Sequence, residues 1–304
     1  MNKAIVTGAT GVIGSALVNE LINNDFKVLV IARESVKAEE LGKLENVEVL
    51  FCDLNGLDSL NFEKEFDYFF HLGWVGTRGS ARLDEELQNK NVEISKEAVK
   101  LAKRAGCKCF VGVGSQAEYG KVPFGVKLSP ELKEYPESAY GKSKLQARNE
   151  CLKLCNELDI KFNWCRVLST YGIGDNENSF VMHILNNCIN GGVCKLTACE
   201  QLWDYIFNED IARGLILIAE KGKLNQTYVI GCGAPKPMKE YAGIIYDTVG
   251  NNNAKLDFGA IDYYPDQVMY LCADISTLTQ DTGFKPQVSF EEGIKKTLEA
   301  LKRQ

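Results

Sequence analysis

The segment Thr7-Gly8-Ala9-Thr10-Gly11-Val12-Ile13-Gly14 constrains this chain most, because it stands between a β-branched run, Lys3–Thr7, and a helical pattern, Val12–Asn23. Glycines at a strand-to-helix junction let the backbone turn sharply and come close to a ligand. The free N–H groups and dipole of the helix that follows favour an anion there. A tight turn without a ligand would also use three glycines. The strand–turn–helix context favours a dinucleotide site, with Gly8, Thr10, Gly11, Val12, Ile13 and Gly14 around the pyrophosphate.

From the N-terminus to about residue 172, short β-branched runs alternate with longer helical patterns, the signature of a parallel sheet with helices on both faces. Strands are expected near Lys3–Thr7, Lys27–Ile31, Val47–Phe51, Tyr68–His71, Cys109–Val113 and Phe162–Arg166, and helices near Val12–Asn23, Glu85–Ala105 and Ala139–Leu158. The prediction is an α/β fold with a Rossmann-like doubly wound parallel sheet over residues 1–172. Gly- and Asn-rich stretches then break the rhythm at 171–179 and 250–253. Residues 173–205 and 232–304 are expected to form a smaller α/β substrate-binding domain. Residues 206–231, with a helical pattern followed by the strand Thr227–Ile230, are expected to return to the first domain. A last helix is expected over Phe290–Lys302, where Ile294, Leu298 and Leu301 recur at helical spacing.

The 304 residues are 45% hydrophobic and 25% charged, which excludes a disordered or fibrous chain. A formal net charge of −6 argues against nucleic acid as a partner, since phosphate backbones call for a surplus of Lys and Arg. No apolar run approaches the ~18 residues of a membrane span, so no membrane partner is expected. Eleven cysteines fall singly with no CxxC, and His71 and His183 are the only histidines, so no metal centre is expected. Cys107 and Cys109 alternate along a strand, and Cys151 and Cys155 share a helix face, as small buried apolar side chains do. The odd count and the lack of a signal peptide point to a reducing cytoplasm.

Tyr140-Gly141-Lys142-Ser143-Lys144 is a YxxxK motif in the third long helical pattern. Residues four apart share a helical face, so Lys144 can stand beside the Tyr140 phenol. An adjacent ammonium, helped by an oxidised nicotinamide, is expected to lower the phenol from ~10 toward neutrality. Tyr140 then becomes a usable acid or base. Ser115, one strand and one loop earlier, is placed to hydrogen-bond the substrate oxygen that gains or loses a proton. The ordinary alternative is a surface Ser, a buried Tyr and a solvated Lys that never meet.

With its GxxGxxG spacing, Ser115 and YxxxK, the chain resembles the extended short-chain dehydrogenase/reductases. Within them it is similar to the NAD-dependent epimerase/dehydratase family of nucleotide-sugar enzymes, from Thr7 to the C-terminal helix. The resemblance implies Ser115, Tyr140 and Lys144 as a catalytic triad, the last two also touching the cofactor. It implies adenine contacts from Asp53 and Leu54. The strand-four motif His71-Leu72-Gly73, followed by Trp74, would lie beside ribose and pyrophosphate, with a further cofactor contact at Val167. Substrate contacts are implied at Thr77, Arg78, Gln116, Ser169 and Trp203. His71 is expected to be structural. Arg78 and Arg82 read either as phosphate partners or as a solvated loop, and Asn91 either orders the site or caps a helix.

Members of the family that use NAD place a carboxylate at the end of the second strand, where this chain has Ala32 and Arg33. An acid repels a 2′-phosphate and a guanidinium pairs with it, so NADP(H) is expected over NAD(H). A solvated Arg33, or one stacked on adenine, is the other reading. Sugar-nucleotide dehydratases follow the catalytic Ser/Thr with acidic residues, whereas Gln116 and Ala117 stand here and neither can transfer a proton. Glu118 falls one step later and should point elsewhere, unless a shifted loop returns it. Ser169 replaces the usual Asn, Trp203 a usual basic residue, and Tyr263-Tyr264-Pro265 a segment that tends to hold Arg. Trp203 or Tyr264 would either stack on a base or plug the core.

The resemblance and these departures together imply an NADP(H)-dependent reductase of a 4-keto sugar nucleotide, acting at C4 in polysaccharide or deoxysugar biosynthesis. A 4-epimerase shares every catalytic residue. A non-catalytic dinucleotide sensor is the reading of another class. The partner is a nucleotide-diphosphate sugar, and the helices near Glu85–Ala105 and Ala139–Leu158 resemble those that pair in family homodimers.

Overall fold

In the computed structural model, which describes residues 1–62 and 65–302, β1 (Lys3–Thr7) lies inside a parallel sheet. It is followed by α1 (Val12–Asn23), β2 (Lys27–Ala32), α2 (Val36–Leu41), β3 (Val47–Phe51), β4 (Tyr68–His71), α3 (Glu85–Arg104), β5 (Cys109–Ser115), α4 (Ala139–Glu157) and β6 (Lys161–Val167). After them come β7 (Ser169–Tyr171), α5 (Phe180–Ile189), β8 (Val193–Leu196), β9 (Leu202–Trp203), β10 (Tyr205–Phe207), α6 (Asn208–Lys221) and β11 (Gln226–Ile230). The chain ends with β12 (Lys236–Pro237), α7 (Met238–Val249), β13 (Lys255–Phe258), α8 (Ser276–Thr282) and α9 (Phe290–Leu301).

The central sheet has the order β11-β6-β5-β4-β1-β2-β3, and every neighbouring pair in it is parallel. This is the doubly wound α/β fold expected from the alternation of elements. β11 joins the edge by pairing Gln226 to Ile230 against Asn163 to Val167 of β6. The order reverses between β1 and β4, and ligands of such sheets bind at the carboxyl ends of the strands there. β5 and β6 each run beyond the ends expected for them, to Ser115 and Val167, which brings both residues to that edge.

Strands buried on both faces read as unbroken apolar runs, because successive side chains enter different cores. Val6, Val111 and Cys165 pack with Leu17 of α1 and Leu215 of α6 on one side. Ile5, Phe110 and Trp164 pack with Val99 of α3 and Cys151 of α4 on the other. Here the cysteines are packing residues: all eleven thiols are free, and burial pushes Cys109 up to about 12. A third core lies under α5, α7 and α9, including Ile184, Ile245 and Ile294. Two buried carboxylates tie it to the sheet. Asp204 accepts backbone N–H groups of Cys232, Gly233 and Ala273 at 2.7–2.9 Å. Asp210 accepts those of Gln287 and Val288 at 2.8 and 3.0 Å.

His71 is a structural residue of β4. Its Nδ1 lies 2.8 Å from Thr7 Oγ1 and its Nε2 3.2 Å from Ser95 Oγ. Burial, with a smaller contribution from the Lys144 charge, holds it down at about 3. Between that value and ~6.5, where an unfolded histidine titrates, only the unfolded chain takes up the proton, so stability falls as pH falls through the window. The slope from this group is about 1.4 kcal/mol per pH unit. Urea midpoints taken at intervals from pH 7 to below pH 5 should fall more steeply for the native chain than for His71→Asn. Equal slopes would overturn the assignment.

Among the described residues, no helix is long and apolar enough to cross a membrane.

Candidate active site

A cleft of about 1020 Å³ opens at the strand ends where the sheet order reverses. At its floor Gly8 has φ of +74°, and a Cβ there would stand 2.6 Å from the backbone N of Gly73. A Cβ on Gly14 would stand 2.1 Å from the Gly8 carbonyl oxygen. Only glycine permits both the turn and this approach of backbone to backbone. α1 begins at Gly11 with no side-chain cap, whereas Asp84, Ser138 and Ser179 cap α3, α4 and α5. Thr10, Gly11, Val12 and Ile13 line the cleft, so the unpartnered N–H groups of the first turn are left for an anion. This cradle fits the diphosphate of a dinucleotide.

One end of the cleft lies between the ends of β2 and β3, where Arg33, Asp53 and Leu54 line it. Asp53 Oδ1 accepts the backbone N–H and side-chain N–H of Asn55 at 2.9 and 2.6 Å, which caps the turn Leu54–Ser59. Glu34, Ser35 and Lys37 also line this end, and the sequence reading did not weigh them. Leu72, Gly73 and Trp74 line the middle, together with Val167 from β6.

Ser115, Tyr140 and Lys144 meet at the other end. Ser115 closes β5 and Tyr140 sits in the first turn of α4, and the Ser115 side chain lies close enough to bear on the Tyr140 phenol. Lys144 Nζ donates to the Val113 carbonyl at 2.7 Å and stands 3.7 Å from the centre of the Trp74 ring, against 5.9 Å for that of Tyr140. Burial pulls this ammonium down to about 7, against the opposing charge of Glu118. Burial also raises the Tyr140 phenol above its ordinary value, outweighing the nearby Ser115 hydroxyl and the Arg82 charge. This corrects the expectation of a phenol lowered by its neighbouring lysine. The four-residue spacing does put both on one face, but burial of the phenol outweighs the charges around it.

Glu118 does not return to the site. Its carboxylate accepts the Ser115 backbone N–H at 2.8 Å, the Trp164 indole N–H at 3.0 Å and Arg166 Nε at 2.7 Å. Arg166 Nη2 reaches Glu134 at 2.5 Å, and both Glu118 and Arg166 are fully buried. Ser115 Oγ in turn accepts the Ala117 N–H at 3.2 Å, so the turn after β5 is closed from both sides. No signal in the sequence paired Glu118 with a strand arginine 48 residues away.

On the substrate side Thr77 and Arg78 line the cleft, and Arg78 Nη2 lies 3.3 Å from Asp175 Oδ1. Gln116, Ser169 and Trp203 do not line it. On alternating strand geometry Leu168 and Thr170 face the cleft and Ser169 faces away. There Ser169 accepts the Trp203 indole N–H at 2.7 Å, and Tyr241 donates to the Trp203 carbonyl at 3.0 Å, so Trp203 is a packing residue. Tyr264 is 81% exposed. Asn91 orders the site rather than capping a helix: it grips both the N–H and the C=O of Val75, at 2.8 and 3.0 Å. Gln88 and Thr170 escaped the sequence reading. Gln88 is buried under the loop after β4 and accepts the Trp74 indole N–H at 2.8 Å. The Thr170 hydroxyl is buried with no hydrogen-bond partner among the described residues.

The NAD dependent epimerase/dehydratase family matches this chain over residues 4–231. The chain is 26% identical to CDP-abequose synthase of Salmonella typhimurium, over 98% of this chain and 97% of the relative. It is 24% identical to a dTDP-glucose 4,6-dehydratase of Escherichia coli, over 98% and 92%. Among solved structures, the UDP-N-acetylglucosamine 4-epimerase from Methanobrevibacter ruminantium superposes with a TM-score of 0.88 at 24% identity, covering 100% of this chain and 99% of that one.

Proposed function

The chain belongs to the NAD-dependent epimerase/dehydratase family, and from that premise we propose that it is an NADP(H)-using oxidoreductase that reduces a 4-keto sugar nucleotide at C4. One observation carries this reading. Ser115 and Tyr140 line an end of the cleft that no carboxylate lines among the described residues, because Gln116 and Ala117 occupy the acid positions and Glu118, beneath the Ser115 backbone, is bound to Arg166. One proton-transferring group suffices to reduce a ketone. Eliminating water from the sugar requires further acid–base groups, which this end of the cleft lacks among the described residues.

The dinucleotide, when bound, supplies the hydride. The loop Gly8–Gly14 and the first turn of α1 would hold its diphosphate. Lys144, steadied by the Val113 carbonyl and the Trp74 ring, would take the ribose hydroxyls. Tyr140 gives its proton to the sugar oxygen, and the Ser115 hydroxyl holds that oxygen beside it. Arg33, with Ser35 and Lys37 nearby and Ala32 where an acid would stand, supports a 2′-phosphate on the adenosine ribose. The names of the relatives, CDP-abequose synthase and dTDP-glucose 4,6-dehydratase, support a nucleotide-diphosphate sugar as the substrate class.

A second reading, a 4-epimerase, calls on the same Ser115, Tyr140 and Lys144, all three of which line the cleft. The test is to incubate the protein with nucleotide sugars and their 4-keto derivatives, with NADPH or NADH, following cofactor absorbance and product. Stoichiometric oxidation of NADPH is the expected result. Sugar interconversion with no net change in cofactor would replace the reductase by the epimerase, and silence on every substrate would overturn both.

A further inference from the structure

We propose that Trp74 is a positioning residue for Lys144: the face of its indole, fixed from behind by Gln88, holds the buried ammonium where the cofactor ribose needs it. The inference rests on the reading of Lys144 as the group that takes the ribose hydroxyls.

An ammonium removed from water must be held by the groups around it. Lys144 is 4% exposed, and burial works against its charge. Glu118, whose charge opposes that pull, is already bound to Arg166. The Val113 carbonyl accepts one N–H at 2.7 Å. The other support is the Trp74 ring, whose centre lies 3.7 Å from Nζ. A cation over an indole is drawn to the negative face of the π-system, more strongly where water is excluded. One hydrogen bond at the end of a flexible four-carbon stem leaves an ammonium free to swing. A carbonyl and a ring face together fix it from two directions, and two of its three N–H groups remain for the ribose.

The position of the indole is itself built. Trp74 Nε1 donates to Gln88 Oε1 at 2.8 Å. Gln88 is fully buried in α3, and its Nε2 donates to the carbonyls of Gly76 and Ala81 at 2.8 Å each, which leaves the amide oxygen for the indole. Asn91, also in α3, grips both backbone groups of Val75, the residue after Trp74. Two amides of α3 therefore set the loop after β4, the loop sets the indole, and the indole meets an ammonium that comes from α4. Trp74 also lines the cleft, so direct contact with the dinucleotide is the competing role.

A double-mutant cycle on dinucleotide affinity separates the two. Calorimetric titrations with NADPH and with NADH find the dinucleotide that binds better, and that one is carried through the cycle. Trp74→Leu should weaken its binding by about tenfold, whereas Trp74→Phe, which keeps a ring face, should weaken it by about threefold or less. In a Lys144→Met background Trp74→Leu should cost nothing further, because the ring then has no ammonium to hold. Gln88→Met, which frees the indole but leaves it in the chain, should show a smaller loss that vanishes in the same background. Urea midpoints identify any variant that fails to fold, and the cycle then rests on the Gln88 pair. Equal losses in both backgrounds would assign the indole to the dinucleotide itself, and no loss in either would leave it without a role; each result overturns the proposal. Turnover is not read, so a failed search for a sugar substrate leaves a positive cycle standing, and a failed cycle leaves the proposed reduction standing. Binding of neither dinucleotide to the native protein would overturn the proposal together with the cofactor reading beneath it.

Discussion

Replacing Tyr140 by phenylalanine should slow turnover by about 10²–10⁴-fold while NADPH binds as before, because positioned proton transfer contributes that much to rate and nothing else is removed. The ring is retained between Arg82 and Trp74, whose contacts are to its aromatic body. Lost is the hydroxyl with its proton. The groups assigned to the cofactor, from the Gly8–Gly14 loop to Lys144 and Trp74, keep their own anchors in β1, Val113 and Gln88. Both candidate reactions, reduction and epimerisation, pass through this proton, so the loss does not depend on which substrate is found. A fluorescence titration with NADPH beside a turnover assay decides the matter. Binding weakened as much as turnover would show that Tyr140 holds the cofactor site together instead of moving a proton.

Glu118→Ala should destabilise the protein by about 3–5 kcal/mol, the usual result of leaving a buried charge without its partner. Arg166 is fully buried on a central strand, and Glu134, its other partner, is partly exposed. The same change strips the Ser115 backbone N–H and the Trp164 indole of their acceptor. Pairing Glu118→Leu with Arg166→Met, which removes both charges and keeps volume, should recover the part of the loss owed to the unpaired guanidinium, since buried ion pairs exchange for apolar groups at little net cost, while the Ser115 and Trp164 N–H groups stay without their acceptor. Urea unfolding of the single and double variants measures both. A loss under about 1 kcal/mol for Glu118→Ala, or a double variant no better than the single, would refute the ion pair as the source of the stability.

This network also shows where sequence reasoning stopped. Glu118 stood out in the sequence because it fell one place beyond the positions where acids are expected, and strand alternation was enough to turn it away from the substrate. Its destination was not legible, because nothing local links it to Arg166 or Trp164. Asn91 and Gln88 are similar: within α3 they read as polar residues on an amphipathic helix, and their work is done on a loop that passes beneath them. Trp203 shows the converse: its position in the chain suggested the substrate, and in the fold its indole and carbonyl are engaged by Ser169 and Tyr241.

By itself the sequence determined the order of the first six strands and of the long helices among them, the glycine turn whose shape fits a diphosphate, and the one-turn spacing of Tyr140 and Lys144. Each follows from local backbone rules: the two-residue period of a strand, the 3.6-residue period of a helix, and the steric freedom of glycine. Only the tertiary structure decided which charge faces which. Lys144 turns to Val113 and Trp74, Arg82 moves onto Tyr140, and Glu118 closes on Arg166. Electrostatic partners are set by burial and by distances between segments far apart in the chain, and no pattern of neighbouring residues encodes them.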